Sequence, residues 1–73
     1  MTKDAFLLAL DEMLELPAGT LKGPEKIEDI ESWDSLAVIS LIALVDENCG
    51  IQLAPRQIGA AETVDQLYAL TAK

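Results

Sequence analysis

The sequence predicts an all-α domain built from three main helices and one short helix, third in chain order. Three observations predict it. The chain has 73 residues, which makes one small domain that buries only about 60% of its unfolded surface and has little room for a deep pocket. Hydrophobic residues are 51% of the chain but aromatics only 4%, so the core must come from Leu, Ile, Val and Ala, a composition that favours packed helices over a sheet. Apolar residues also recur at steps of three and four in segments bounded by residues that start or stop helices.

Thr2 is placed to cap a first helix over about residues 3 to 16. Phe6, Leu7, Leu10, Met13 and Leu14 fall on one stripe of it, with Asp4, Asp11 and Glu15 opposite. Pro17 and Gly19 are expected to end it, because proline disfavours helical backbone in the preceding residue and glycine relaxes the chain. Residues 17 to 33 form a loop too long for a simple connector, with Leu21, Ile27 and Ile30 spaced as anchors into a core. From Glu25 to Asp34 the chain carries five acids, Glu25, Glu28, Asp29, Glu31 and Asp34, against the single base Lys26. That charge run reads either as a solvated loop or as a docking surface.

Asp34 is the expected N-cap of the second helix, accepting from the N–H of Leu36 or Ala37, which makes Ser35 the first helical residue. Trp33 and Val38 then occupy the two positions of a hydrophobic staple, although Trp33 reads equally well as a partner contact. Over residues 35 to 49, Val38, Leu41, Ile42, Val45 and Cys49 form the core stripe. Leu36, Ser40, Ala43 and Glu47 lie on the other side, flanked by Ile39, Leu44 and Asp46. Val38, Ile39, Ile42 and Val45 are indifferent helix formers, so this helix depends on tertiary packing; its length and lack of strict alternation argue against a strand.

Gly50 is placed to close that helix in the left-handed conformation. Pro55 fits the first turn of a short helix running to roughly Gly59. Thr63 and Gln66 form a Thr-x-x-Gln capping box for a last helix to about Ala72, with Val64, Leu67 and Tyr68 facing inward. No internal repeat, linker or low-complexity segment is present.

Charge and residue inventory narrow the function. Thirteen acids against five bases give a formal net charge of −8 and a pI near 4.1, which repels nucleic acid and anionic membrane and attracts basic protein surfaces. With no histidine and one cysteine, most nucleophile–base pairs and the common zinc sites are excluded, and there is no Gly-rich phosphate loop. Cys49 sits at the end of the core stripe and reads as a small buried hydrophobe rather than a reactive thiol. The adjacent acids Asp11-Glu12 and Asp46-Glu47 point in different directions on a helix, so the chain is expected to be neither an enzyme nor a metal binder. No run reaches the length of a membrane helix, and the amino terminus does not resemble a signal peptide, so no membrane insertion and a cytoplasmic location are expected.

Ser35 remains. Asp-Ser-Leu is a common tripeptide, and an ordinary serine behind a helix cap accounts for it. A hydroxyl in the first turn is also open to solvent, and a phosphoryl group placed there meets free N–H donors and the positive end of the helix dipole. No base lies near it in sequence, so an outside enzyme would have to modify it.

These features resemble the acyl carrier protein family over nearly the whole chain. The resemblance rests on Asp34-Ser35-Leu36 at the head of an apolar helix, Asp46-Glu47 towards its end, and Thr63-Val64 opening the last helix, together with the long loop, small size and acidic pI. It implies a four-helix bundle in which a separate phosphopantetheinyl transferase esterifies Ser35 with 4′-phosphopantetheine from coenzyme A, between Asp34 and Leu36. The terminal thiol of that arm would carry acyl or aminoacyl groups as thioesters. The implied partners are acyl or aminoacyl ligases and acyltransferases or synthases with basic surfaces, in fatty acid, polyketide, nonribosomal peptide or cell-envelope pathways. They would meet Leu36, Ile39, Ser40, Ala43, Asp46 and Glu47, and the chain is expected to be a free-standing monomer.

Two departures from the family pattern matter. Members of fatty acid synthesis typically carry acids just after the Ser-Leu pair and again three residues later, where this chain has Ala37 and Ser40. Partner contact is therefore expected to rely on Leu36 and Ile39 as well as on charge. The usual glycine two residues before the Asp is Ser32 here, next to bulky Trp33. The competing reading is a helical protein–protein interaction module that is never modified.

Overall fold

The computed structural model describes residues 2–71, and among them four α-helices follow one another with no strand: α1 (Lys3–Met13), α2 (Ser35–Cys49), α3 (Pro55–Ala60) and α4 (Val64–Ala69). Helix α2 packs against both α1 and α3. Helix α4 meets α1 through Tyr68 and Phe6, whose ring centroids are 5.6 Å apart. The interior is aliphatic, as the composition requires. Leu10, Leu41, Val45, Val64 and Leu67 are fully buried around Phe6, its one fully buried aromatic.

Helix α2 occupies the expected span. Leu41 and Val45 of its core stripe are fully buried, while Val38, Ile42 and Cys49 are half-buried and pack against the core. Ala37, outside the expected stripe, is buried as well. Gly50 ends the helix at φ 66°, donating to the Asp46 carbonyl at 3.0 Å. Pro55 opens α3, where the Gln57 side chain accepts from the Ala54 N–H at 2.7 Å.

Helix α1 is shorter than the apolar stripe implies. Thr2 caps its start by accepting from the Ala5 N–H. Its end comes at Met13 rather than near Leu16, because Glu15 turns into the left-handed region at φ 60°. The N–H groups of Glu15 and Leu16 then donate to the Glu12 and Asp11 carbonyls at 3.1 and 2.8 Å, closing the helix before Pro17 or Gly19 is reached. Left-handed backbone costs a residue other than glycine about 1–2 kcal/mol. The turn directs the chain so that Leu14 is buried and Leu16 packs on the core.

Asp11 is the clearest correction. The stripe assigns it to the solvent face, yet it is 1% exposed. Its carboxylate accepts from the Gly19 N–H at 3.0 Å and the Leu21 N–H at 3.1 Å. The loop returns across α1 and carries backbone donors out of water, and those donors need an acceptor.

The rest of the loop is held in the same manner. Glu25 accepts from the Lys22 and Gly23 N–H groups, each at 2.8 Å. The loop then pairs with the α3–α4 junction: Ile27 N–H donates to Glu62, Val64 N–H to Glu25 and Asp65 N–H to Gly23. Gly23 is required there, since its φ is 122° and a Cβ would collide with the Asp65 carboxylate. A short 3-10 turn, Ile27–Asp29, follows, and Leu21 and Ile27 reach the core as anchors. Lys3 at the start of α1 reaches Asp65 on α4 at 2.8 Å.

The last helix departs from expectation in its length and in its capping box. It has six residues, the same as α3, so the bundle has two main helices and two short ones. The Tyr68 carbonyl is taken by the N–H and hydroxyl of Thr71, a local turn that competes with the helical ladder. Ala72, the expected end, lies outside the described residues. Only half of the capping box forms: Thr63 accepts from the Gln66 N–H, but the Gln66 side chain accepts from Glu62 rather than Thr63. Pairing of the loop with residues 62–65 sets the backbone here, and Gln66 reaches one residue further back.

Candidate functional site

The local chemistry of Asp34 creates the site. Its backbone is extended, its carboxylate accepts from the Ala37 N–H at 2.9 Å, and its carbonyl takes the Val38 N–H at 3.2 Å. Ser35 is therefore the first residue of α2, and it is exposed. The N–H groups of Ser35 and Leu36 have no acceptor among the described residues. This donor set suits a phosphodiester on the serine oxygen: an exposed hydroxyl, two free N–H groups and the positive end of a 15-residue helix.

A cleft of about 300 Å³ lies beside the serine, between the end of α1 and the start of α2. Met13, Leu14 and Glu15 line it from one side, and Ser32, Asp34, Leu36, Ala37 and Ser40 from the other. Leu14 and Ala37 are buried, Met13 and Ser40 half-buried, and the remainder exposed. A second, larger cleft, about 530 Å³, runs between the loop and α3, with Trp33, Ile27, Ile58, Gly59 and Ala61 among its walls. Trp33 is half-buried and packs on the core there.

The other anticipated contact residues separate into two groups. Leu36 and Ile39 are 68% and 63% exposed, large fractions for such apolar side chains, and Ala43 is exposed further along α2. Asp46 and Glu47 are also exposed, but they stand roughly 17 Å along the helix axis from Ser35. No charged residue occurs in α2 before Asp46; the acids nearest the serine in sequence are Asp34 and exposed Glu31, Asp29 and Glu28, and exposed Glu15 lines the cleft beside it.

Glu25 is the loop carboxylate with an altered acidity. Burial works to raise its pKa, yet the N–H donors of Lys22, Glu25 itself and Gly23 outweigh that and hold it below the usual carboxylate value. Lys3 is shifted upward by its hydrogen bond to Asp65 and by that carboxylate's charge. Both groups hold the frame around the site rather than the site itself.

The sequence already placed Ser32 and Ala37 near the serine. It gave no sign that Met13, Leu14 and Glu15 line the cleft shared with Asp34 and Leu36, because their approach depends on the turn at Glu15.

No helix of the described residues is long and apolar enough to cross a membrane. No group of three or more potential metal-ligating side chains occurs among them. Comparison with protein-family models, curated proteins and solved structures gave no match for this chain.

Proposed function

We propose that the protein is an acyl carrier whose Ser35 holds a 4′-phosphopantetheine arm. The observation that carries this reading is an exposed serine at the first position of the longest helix, capped by Asp34 and flanked by free N–H groups. In the modification the Ser35 oxygen forms a bond to the β-phosphorus of coenzyme A. The pyrophosphate bond breaks, 3′,5′-adenosine bisphosphate leaves, and the serine proton passes to a base of the transferase. When bound, the arm supplies a thiol that holds acyl or aminoacyl groups as thioesters.

The chain's own residues do the rest without catalysis. Asp34 fixes the start of α2, so that Ser35 is presented on a rigid element rather than on the loop. Leu36 and Ile39 offer an apolar contact directly beside the arm. The loop acids, with Asp46 and Glu47, orient partners that carry basic surfaces, chiefly through association rate.

The test is incubation of the folded protein with coenzyme A and a promiscuous phosphopantetheinyl transferase, followed by intact-mass measurement. Addition of one phosphopantetheine, lost in Ser35→Ala, is the expected result; an unchanged mass in folded protein overturns the carrier reading. The second reading, an unmodified interaction module, is favoured by the exposure of Leu36 and Ile39, which needs no modification to act as a docking surface.

A further inference from the structure

Resting on the reading that Ser35 carries phosphopantetheine, we infer that the proximal, branched part of the arm folds back into the cleft between the end of α1 and the start of α2. Asp34 and Leu36, the two chain neighbours of the attachment point, each line the cleft, and Ser35 itself stands outside its walls. Its volume of about 300 Å³ is far more than a single water needs, so part of the arm has room there.

The chemistry of the walls matches those units. Beyond the phosphate the arm presents a carbon bearing two methyl groups, then a hydroxyl and an amide. Leu14 and Ala37 provide an apolar base for the methyl groups. Ser40 stands about 7.5 Å further along α2 from Ser35, where its hydroxyl both donates and accepts hydrogen bonds.

Two wall positions next to the attachment point are uncharged. Ala37 and Ser40 occupy the positions at which the resembled family typically has acids, and both line this cleft. A carboxylate at either one would stand in the path of the phosphodiester and repel it. Of the acids that do border the cleft, Asp34 is committed to the Ala37 N–H, and Glu15 is exposed to solvent at the rim. The cleft beside α3 includes neither chain neighbour of Ser35, and its walls carry Lys26 together with Glu28 and Glu62.

The experiment compares isotope-labelled protein by NMR before and after complete modification by coenzyme A and the transferase, with completion checked by intact mass. Expected are amide shifts at residues 13–15, remote from Ser35 in sequence, and Overhauser contacts from the arm's methyl protons to Met13 and Leu14. Ser40→Asp is expected to accept the arm but lose those shifts, while Glu15→Lys, at an exposed position, enlarges them. Complete modification with shifts confined to residues next to Ser35, or appearing instead at residues 58–61, overturns the inference and leaves the carrier reading standing. Shifts at residues 13–15 that neither variant alters also overturn it. Absence of any added mass in folded wild-type protein overturns the carrier reading and this inference with it.

Discussion

The loop over residues 15–34 and the helix that follows it are held by different physics. Helix α2 satisfies most of its backbone internally and gains its place by burying Leu41 and Val45. The loop has no repeating ladder. Its polar groups go to side chains and to a distant segment: Asp11 accepts from Gly19 and Leu21, Glu25 accepts from Lys22 and Gly23, Glu62 accepts from Ile27, and Val64 and Asp65 donate to the Glu25 and Gly23 carbonyls. Ser35 stands where the two regions join. It is presented on the helical side of the junction, with the acid-rich loop on the other.

The largest expected difference between the regions is in what each loses on mutation. Leu41→Ala should cost about 2–5 kcal/mol in urea unfolding, through lost burial and a cavity, and should weaken the whole bundle. On a total stability of roughly 4–11 kcal/mol for a chain of this size, that is a large share. Asp11→Ala should cost about 2–3 kcal/mol, because one buried and one half-buried N–H group lose a charged acceptor. Its signature is local: hydrogen exchange should accelerate at Gly19 and Leu21 before it does in α2. Uniform acceleration would show that the loop and α2 are one cooperative unit and would break the distinction.

Smaller effects sharpen the boundary. Asp34→Ala should cost about 1 kcal/mol by removing the N-cap, with fraying of the first turn around Ser35, and Asp34→Asn should recover most of it. The pH dependence belongs to the loop. Because the folded pKa of Glu25 lies below its ordinary value of 4.5, its contribution is complete above that value and is lost as pH falls through the folded one. Unfolding followed between pH 5 and pH 2 should therefore show an acid-side loss that Glu25→Gln reduces. Lys3 acts in the opposite direction: its contribution is complete below 10.5 and is lost as pH rises through its raised value.

The smallest expected effect on stability is on the outer face of α2. Leu36→Glu combined with Ile39→Glu should change unfolding by no more than about 0.5 kcal/mol, since both side chains are already in water. Loading of the modified protein by its ligase should nevertheless fall. Unchanged loading would mean that partners do not use this apolar contact.

What the sequence determined by itself is whatever depends on neighbours within one or two turns. Thr2, Asp34 and Thr63 cap as their side chains dictate, Pro55 opens α3, and Gly50 closes α2, so four helix starts and one helix end were legible. Ser35 as an exposed first-turn serine was legible for the same reason. The tertiary structure alone decided where α1 stops, why Asp11 is inside, and which residues at the end of α1 line the cleft shared with Asp34 and Leu36. Each follows from the return of the loop: once it crosses α1, its N–H groups must find acceptors, and a carboxylate that alone would face water becomes the acceptor that is buried. The same closure shifted Gln66 to Glu62, because pairing with residues 23–27 fixed the backbone that the capping box was expected to set.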